Sequence, residues 1–132
     1  AMLIPGSDFI SIPTPPPEFD LPAWLETIAL LKKGPWKRLF LTHGGVVETA
    51  SDHLDRLAGG LAAQVSWFEG WKKEGLDGAG VAQAYREHLL AEAISMGVDE
   101  SIFDDYVSPH LLGMNIMGIQ RWLEQQETVI GG

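Results

Sequence analysis

Arg38-Leu39-Phe40-Leu41-Thr42-His43-Gly44-Gly45 is the stretch on which the reading of this chain turns. Lys37 to Thr42 reads as a strand, with Leu39, Phe40 and Leu41 as a buried apolar run. The run ends in a histidine followed by two glycines. A strand fixes where such a turn begins, and the glycines leave the imidazole free to point into a cleft. That placement suits a metal ligand or a proton shuttle. A metal site takes three or four ligands, and this stretch offers one. His43 is therefore expected to be one part of a catalytic site whose remainder lies elsewhere.

Upstream of it, Phe9 to Ile12 is a short β-prone run, and Pro13-Thr14-Pro15-Pro16-Pro17 follows. Proline fixes φ and removes backbone donors, so this segment is expected to be an extended, rigid surface connection. Asp20 then caps a helix with Pro22 in its first turn, and Gly34-Pro35 stops it. Trp24, Leu25, Ile28 and Leu31 recur along it at helical spacing.

Downstream, Thr49 or Ser51 caps a long helix whose apolar stripe is Leu54, Leu57, Leu61, Val65, Phe68 and Trp71, with Gly75 ending it. Gly59-Gly60 lies inside this helix, where it permits close packing or a kink. After the turn Asp77 to Gly80 comes a helix carrying Val81, Ala84, Tyr85, His88, Leu89 and Met96, terminated by Gly97. Asp99 caps a short turn with Ile102, Phe103, Tyr106 and Val107. Ser108-Pro109 starts the last helix, in which Leu111, Leu112, Ile116, Ile119, Trp122 and Leu123 cover more than one face. A helix of that kind is central to a domain or shared with a partner.

The 132 residues suit a single folded unit, and the 45% hydrophobic and 20% charged composition is that of a globular chain. A net charge of −9, from 18 acidic and 9 basic residues, argues against nucleic acid and against anionic membrane surfaces. The absence of cysteine excludes disulfides and thiolate metal sites and leaves a reducing cytoplasm as the expected compartment. No apolar run reaches the ~18–20 residues that span a bilayer. Ala1 reads as a cloning remnant, with Met2 the first encoded residue.

Two stretches together, Pro13-Thr14-Pro15-Pro16-Pro17-Glu18-Phe19-Asp20-Leu21-Pro22-Ala23-Trp24 and Leu39-Phe40-Leu41-Thr42-His43-Gly44-Gly45, resemble the C-terminal portion of metallo-β-lactamase-fold hydrolases. In that family a Pro-rich link and a helix precede a late strand that ends in a metal-ligating histidine. The resemblance covers residues 3 to 75 and implies that His43 is a zinc ligand, with Thr42, Gly44 and Gly45 forming the turn that supports it. The family's His-x-His-x-Asp-His run is absent, and no two of His43, His53, His88 and His110 are separated by a single residue. By resemblance the chain is a fragment, and residues 76–132 are a helical tail packed on it.

The other candidates read as structural. His53 has Asp52 and Asp55 beside it and is placed on a solvated polar face. His88 is placed in the core with a hydrogen-bond partner, and His110 in the first turn of a helix has no special role. Asp99, Glu100, Asp104 and Asp105 lack the glycine and alternating oxygens of a calcium loop and read as caps and solvated charge. No serine has a nucleophile-elbow setting, and no glycine-rich phosphate loop is present.

The expected fold is α+β and mostly helical, four or five helices with one short strand or strand pair, as part of a metallo-β-lactamase-like fold. The expected function is that of the C-terminal portion of a zinc-dependent hydrolase. It would supply His43 and a helical tail, carry no catalytic residue or zinc by itself, and be inactive alone. The alternative is a non-catalytic helical module that self-associates. A cytoplasmic homodimer is expected, buried through Trp24, Ile28, Leu39, Phe40 and Leu41 and through Ile116, Ile119 and Trp122, with no nucleic acid and no membrane as partners.

Overall fold

The computed structural model describes residues 1–131. The element order is β1 (Met2–Leu3), β2 (Ile10–Ser11), α1 (Leu21–Lys32), β3 (Leu39–Phe40), β4 (Val46–Val47), α2 (Ala50–Glu74), α3 (Gly78–Ser95), α4 (Glu100–Tyr106) and α5 (Pro109–Gly131). The fold is thus α+β and mostly helical, with five helices and two small antiparallel strand pairs among the described residues. The sequence predicts one short strand or strand pair; the additional pair lies at the start of the chain. There β1 pairs with β2 in the register Met2↔Ser11 and Leu3↔Ile10, around a turn closed by Ile4 N–H to Phe9 O at 3.2 Å.

The helix boundaries follow local chemistry. The Asp20 carboxylate accepts the Ala23 N–H at 3.0 Å, and the Asp77 carboxylate accepts the Gly80 N–H at 2.7 Å. The Ser108 hydroxyl accepts the Leu111 N–H at 3.2 Å, ahead of Pro109 at the first position of α5. α2 ends at Gly75 (φ 77°) and the α3–α4 link turns at Gly97 (φ 84°), a conformation that favours glycine. Thr49 stands at the α2 N-cap without a side-chain bond.

One continuous core joins both ends of the chain. Ile4, Phe9, Ile12 and Phe19 from the first twenty residues pack with Leu61 and Phe68 of α2, Tyr85 of α3, Phe103 of α4 and Ile119 of α5. α1 lies along α2, α2 and α3 both pack on α5, and α4 packs on α3. Edge-to-face ring pairs fix some of this geometry. Phe68 meets Tyr85 at 5.2 Å, Phe9 meets Phe103 at 6.0 Å and Phe19 meets Trp122 at 6.0 Å.

The Pro-rich segment is not a surface connection. Thr14 is fully buried, and its N–H donates to Asn115 Oδ1 at 2.9 Å while its hydroxyl donates to the Asn115 carbonyl at 3.0 Å. Asn115 Nδ2 donates in turn to the Ile12 carbonyl at 3.1 Å. Prolines leave few donors in this strap, so the Thr14 amide and the Ile12 carbonyl need outside partners, and Asn115 of α5 supplies both. Gly118 makes the approach possible, since a Cβ there would overlap the Thr14 carbonyl. Gly60 of α2 admits Ile12 in the same way; a Cβ there would stand 2.5 Å from the Ile12 side chain. The expected close packing at Gly59-Gly60 is thus located at the second glycine, and α2 runs through the pair as one helix.

Candidate functional site

The expected strand from Lys37 to Thr42 is shorter than its apolar run. Only Leu39–Phe40 is strand, and it forms a hairpin with Val46–Val47 in the register Leu39↔Val47 and Phe40↔Val46. Strand alternation then sends the two pairs to opposite faces. Leu39 and Val47 point inward, half-buried and buried, whereas Phe40 is 80% and Val46 42% exposed. The buried Leu39-Phe40-Leu41 run is corrected accordingly: Phe40 faces solvent and Leu41 is half-buried. Arg38 and Glu48 form an exposed ion pair at 3.4 Å flanking Phe40 and Val46.

Thr42, His43, Gly44 and Gly45 stand together at the apex of this hairpin. Leu41 N–H donates to Gly45 O at 3.0 Å, and Gly44 N–H returns to Leu41 O at 3.4 Å. Gly45 takes φ 81°, which its lack of a Cβ allows. Gly44 lies against Met2, whose Cγ would be 2.6 Å from a Cβ at that position. At the base, Ala50 N–H donates to Lys37 O at 3.0 Å and ties the hairpin to the first residue of α2. The His43 side chain is exposed and borders a cavity of about 220 Å³ with Ala1, Met2, Ser11, Pro13 and Leu111.

The other histidines are dispersed. His53 is not on a solvated face; it is 3% exposed on the packed side of α2, and its Nε2 has no hydrogen-bond partner. Burial first, and then nearby positive charge that includes Arg56, holds its pKa below the ordinary imidazole value. His88 is not in the core. It is exposed on α3, with Nδ1 2.9 Å from the Ala84 carbonyl and its ring 5.0 Å from Trp67 and 5.3 Å from Trp71. His110 is exposed in the first turn of α5. The acidic group near α4 is engaged by one cation, as Arg86 bonds Asp104 at 2.7 Å and Glu100 at 3.2 Å.

Among the described residues no group of three or more His, Cys, Asp or Glu side chains is placed to hold a metal ion. A lone exposed imidazole does not meet the ligand count of zinc, so the residues of this chain by themselves do not fit that ion. No helix among the described residues is long and apolar enough to cross a membrane. Comparison of the chain with protein-family models, characterised proteins and solved structures returns no match to any of them.

Sequence reasoning missed the polar groups that organise the interior. Gln64 is buried on α2 and accepts the Tyr85 hydroxyl at 2.8 Å. Asn115 is buried on α5 and holds the strap. The available signal was position. Asn115 stands in the otherwise apolar run Met114-Asn115-Ile116-Met117, and Gln64 lies beside Val65 and one turn from Leu61 and Phe68.

Proposed function

We propose that this chain is the C-terminal portion of a metal-dependent hydrolase of the metallo-β-lactamase type, contributing His43 as one ligand of a site completed by other residues of the longer protein. The observation that carries the reading is the hairpin apex. It presents one uncommitted imidazole on a short glycine turn, held from behind by the Lys37–Ala50 bond and by Met2. The outer face of the same hairpin is apolar at Phe40 and Val46, with Trp36 (53% exposed) close in sequence, a surface suited to cover by further protein. This chain's role is to position the imidazole and to close one side of the site; no hydrolytic step is carried by its own residues.

The isolated chain is therefore expected to show no turnover of lactams, thioesters or phosphodiesters, with or without added zinc. The DNA upstream of Met2 is expected to encode, in frame, a His-x-His-x-Asp-His run. In the longer product, His43→Ala should reduce both metal content and hydrolysis. Turnover by the isolated chain that disappears in His43→Ala would overturn the reading.

A second reading, self-association, draws on the same exposed side chains together with Val129 (77%) and Ile130 (86%) at the end of α5. The surface first expected to drive it is largely covered. Ile28 and Ile119 are buried, and Trp24, Leu39, Leu41, Ile116 and Trp122 are half-buried. Sedimentation equilibrium at micromolar concentration separates the two readings: a dimer mass that falls to monomer in Phe40→Ser supports association, and a monomer mass in the unsubstituted chain removes it.

A further inference from the structure

Among the described residues His53 is the buried histidine, and the proposed site does not use it. It sits one turn into α2, 3% exposed, and its Nε2 has no partner within the protein. A buried neutral imidazole tolerates one unpaired acceptor at modest cost. A buried imidazolium without an acceptor is far more costly, because burial penalises charge.

The charged groups around it strengthen that bias. From the next turn of its own helix comes Arg56, which opposes a positive ring. Asp52, exposed on the adjacent position, favours it. α1, which packs along α2, brings Lys32 to Asp55, so that neighbouring carboxylate already has a cation. Arg56 is itself held by the Asp8 carbonyl and cannot easily swing away.

The location gives this group leverage on the hairpin. The His53 amide donates to Thr49 O at 3.1 Å, closing the first turn of α2, and in that turn Ala50 N–H holds Lys37 O at 3.0 Å. Val47, three residues before Ala50, is buried on the inner face of the hairpin. Nε2 is packed on the inner side of this first turn, so admitting water to it displaces the turn, and displacing the turn releases the base of the hairpin.

We propose that His53 is an acid-sensitive latch: its protonation opens the first turn of α2 and frees the β3–β4 hairpin that carries His43. Consequences for metal ligation rest on the function proposed above, but the opening is a property of the chain alone. The sign follows from the lowered pKa in the folded state. Above the ordinary imidazole value both states are neutral and the latch is closed. As pH falls below it, the open state takes up a proton that the closed state refuses, so the opening equilibrium grows by up to about tenfold per pH unit.

The test is amide hydrogen exchange of metal-free chain between pH 7.5 and pH 5, with protection corrected for intrinsic rate, alongside ¹⁵N spectra of the histidine rings. Val47, Ala50 and His53 amides are expected to lose protection tenfold or more on acidification, while Leu61 and Val65 amides keep theirs. The His53 ring should titrate below 6.5, the ordinary value. In His53→Gln, or in His53→Phe should the glutamine variant fail to fold, the acid-dependent loss at Val47 and Ala50 should vanish. Equal loss in the variant, undiminished protection at pH 5 in the unsubstituted chain, or a ring that titrates at or above the ordinary value would each overturn the latch.

Discussion

A methyl group at position 118 would overlap the Thr14 carbonyl, and no flexible side chain is there to yield. The strap would have to lift from α5, straining the bonds from Thr14 and Ile12 to Asn115. Gly118→Ala is therefore expected to destabilise the chain by about 3 kcal/mol, against the roughly 1 kcal/mol gained by alanine in an exposed helix. A denaturant midpoint measures it, and Gly113→Ala, where no atom lies within 4 Å of the added carbon, is the control. Tyr85 makes a second prediction at this scale. Its ring is fully buried and its hydroxyl bonds Gln64, and burial first of all pushes its pKa well above the ordinary 10.0. The unfolded phenol ionises above pH 10 while the folded one does not. The stability it contributes is whole below that pH and is lost as pH rises through it. Alkaline melting curves should show a fall above pH 10 that Tyr85→Phe blunts, and identical slopes in the two proteins would contradict it.

At the scale of elements, what could be read from the residues was what local chemistry decides. Asp20 before Leu21-Pro22, Ser108 before Pro109, and Gly75 and Gly97 after their helices all mark boundaries whose causes lie within four residues. The α2 stripe was equally visible, and Leu54, Leu57, Leu61, Val65, Phe68 and Trp71 are all buried. Leu61→Ala should accordingly cost about 2–5 kcal/mol, and an unshifted melting midpoint would show that this face is not packed. What escaped were positions where a polar residue shares an apolar face. His53 lies on the same side of α2 as Leu54 and Leu57, but Asp52 and Asp55 drew it to the solvated side of the reading. His88 was misplaced in the other sense. The buried line of α3 runs through Val81, Tyr85, Leu89 and Ala93, four residues apart, which leaves His88 on its flank against Trp67 and Trp71. The strap was misjudged because its partner, Asn115, is 101 residues away from Thr14, beyond any local pattern.

For the molecule as a whole, the single core decides how the candidate site stands. Ile4 and Phe9 bind the start of the chain to α2, α3 and α4, and the strap binds it to α5, so the hairpin is mounted on a packed body. The turn Thr42-His43-Gly44-Gly45 was legible as a candidate because it is contiguous; its setting was not, because Met2, Ser11, Pro13 and Leu111 come from three other parts of the chain. On that mount His43 is one exposed imidazole without companions. The proposed role is that of a ligand awaiting a site, and it is tested most directly by equilibrium dialysis of the isolated chain against micromolar zinc, before and after His43→Ala. The predicted result is binding well below one zinc per chain and unchanged by the substitution. One tightly held zinc per chain, lost in His43→Ala, would contradict it.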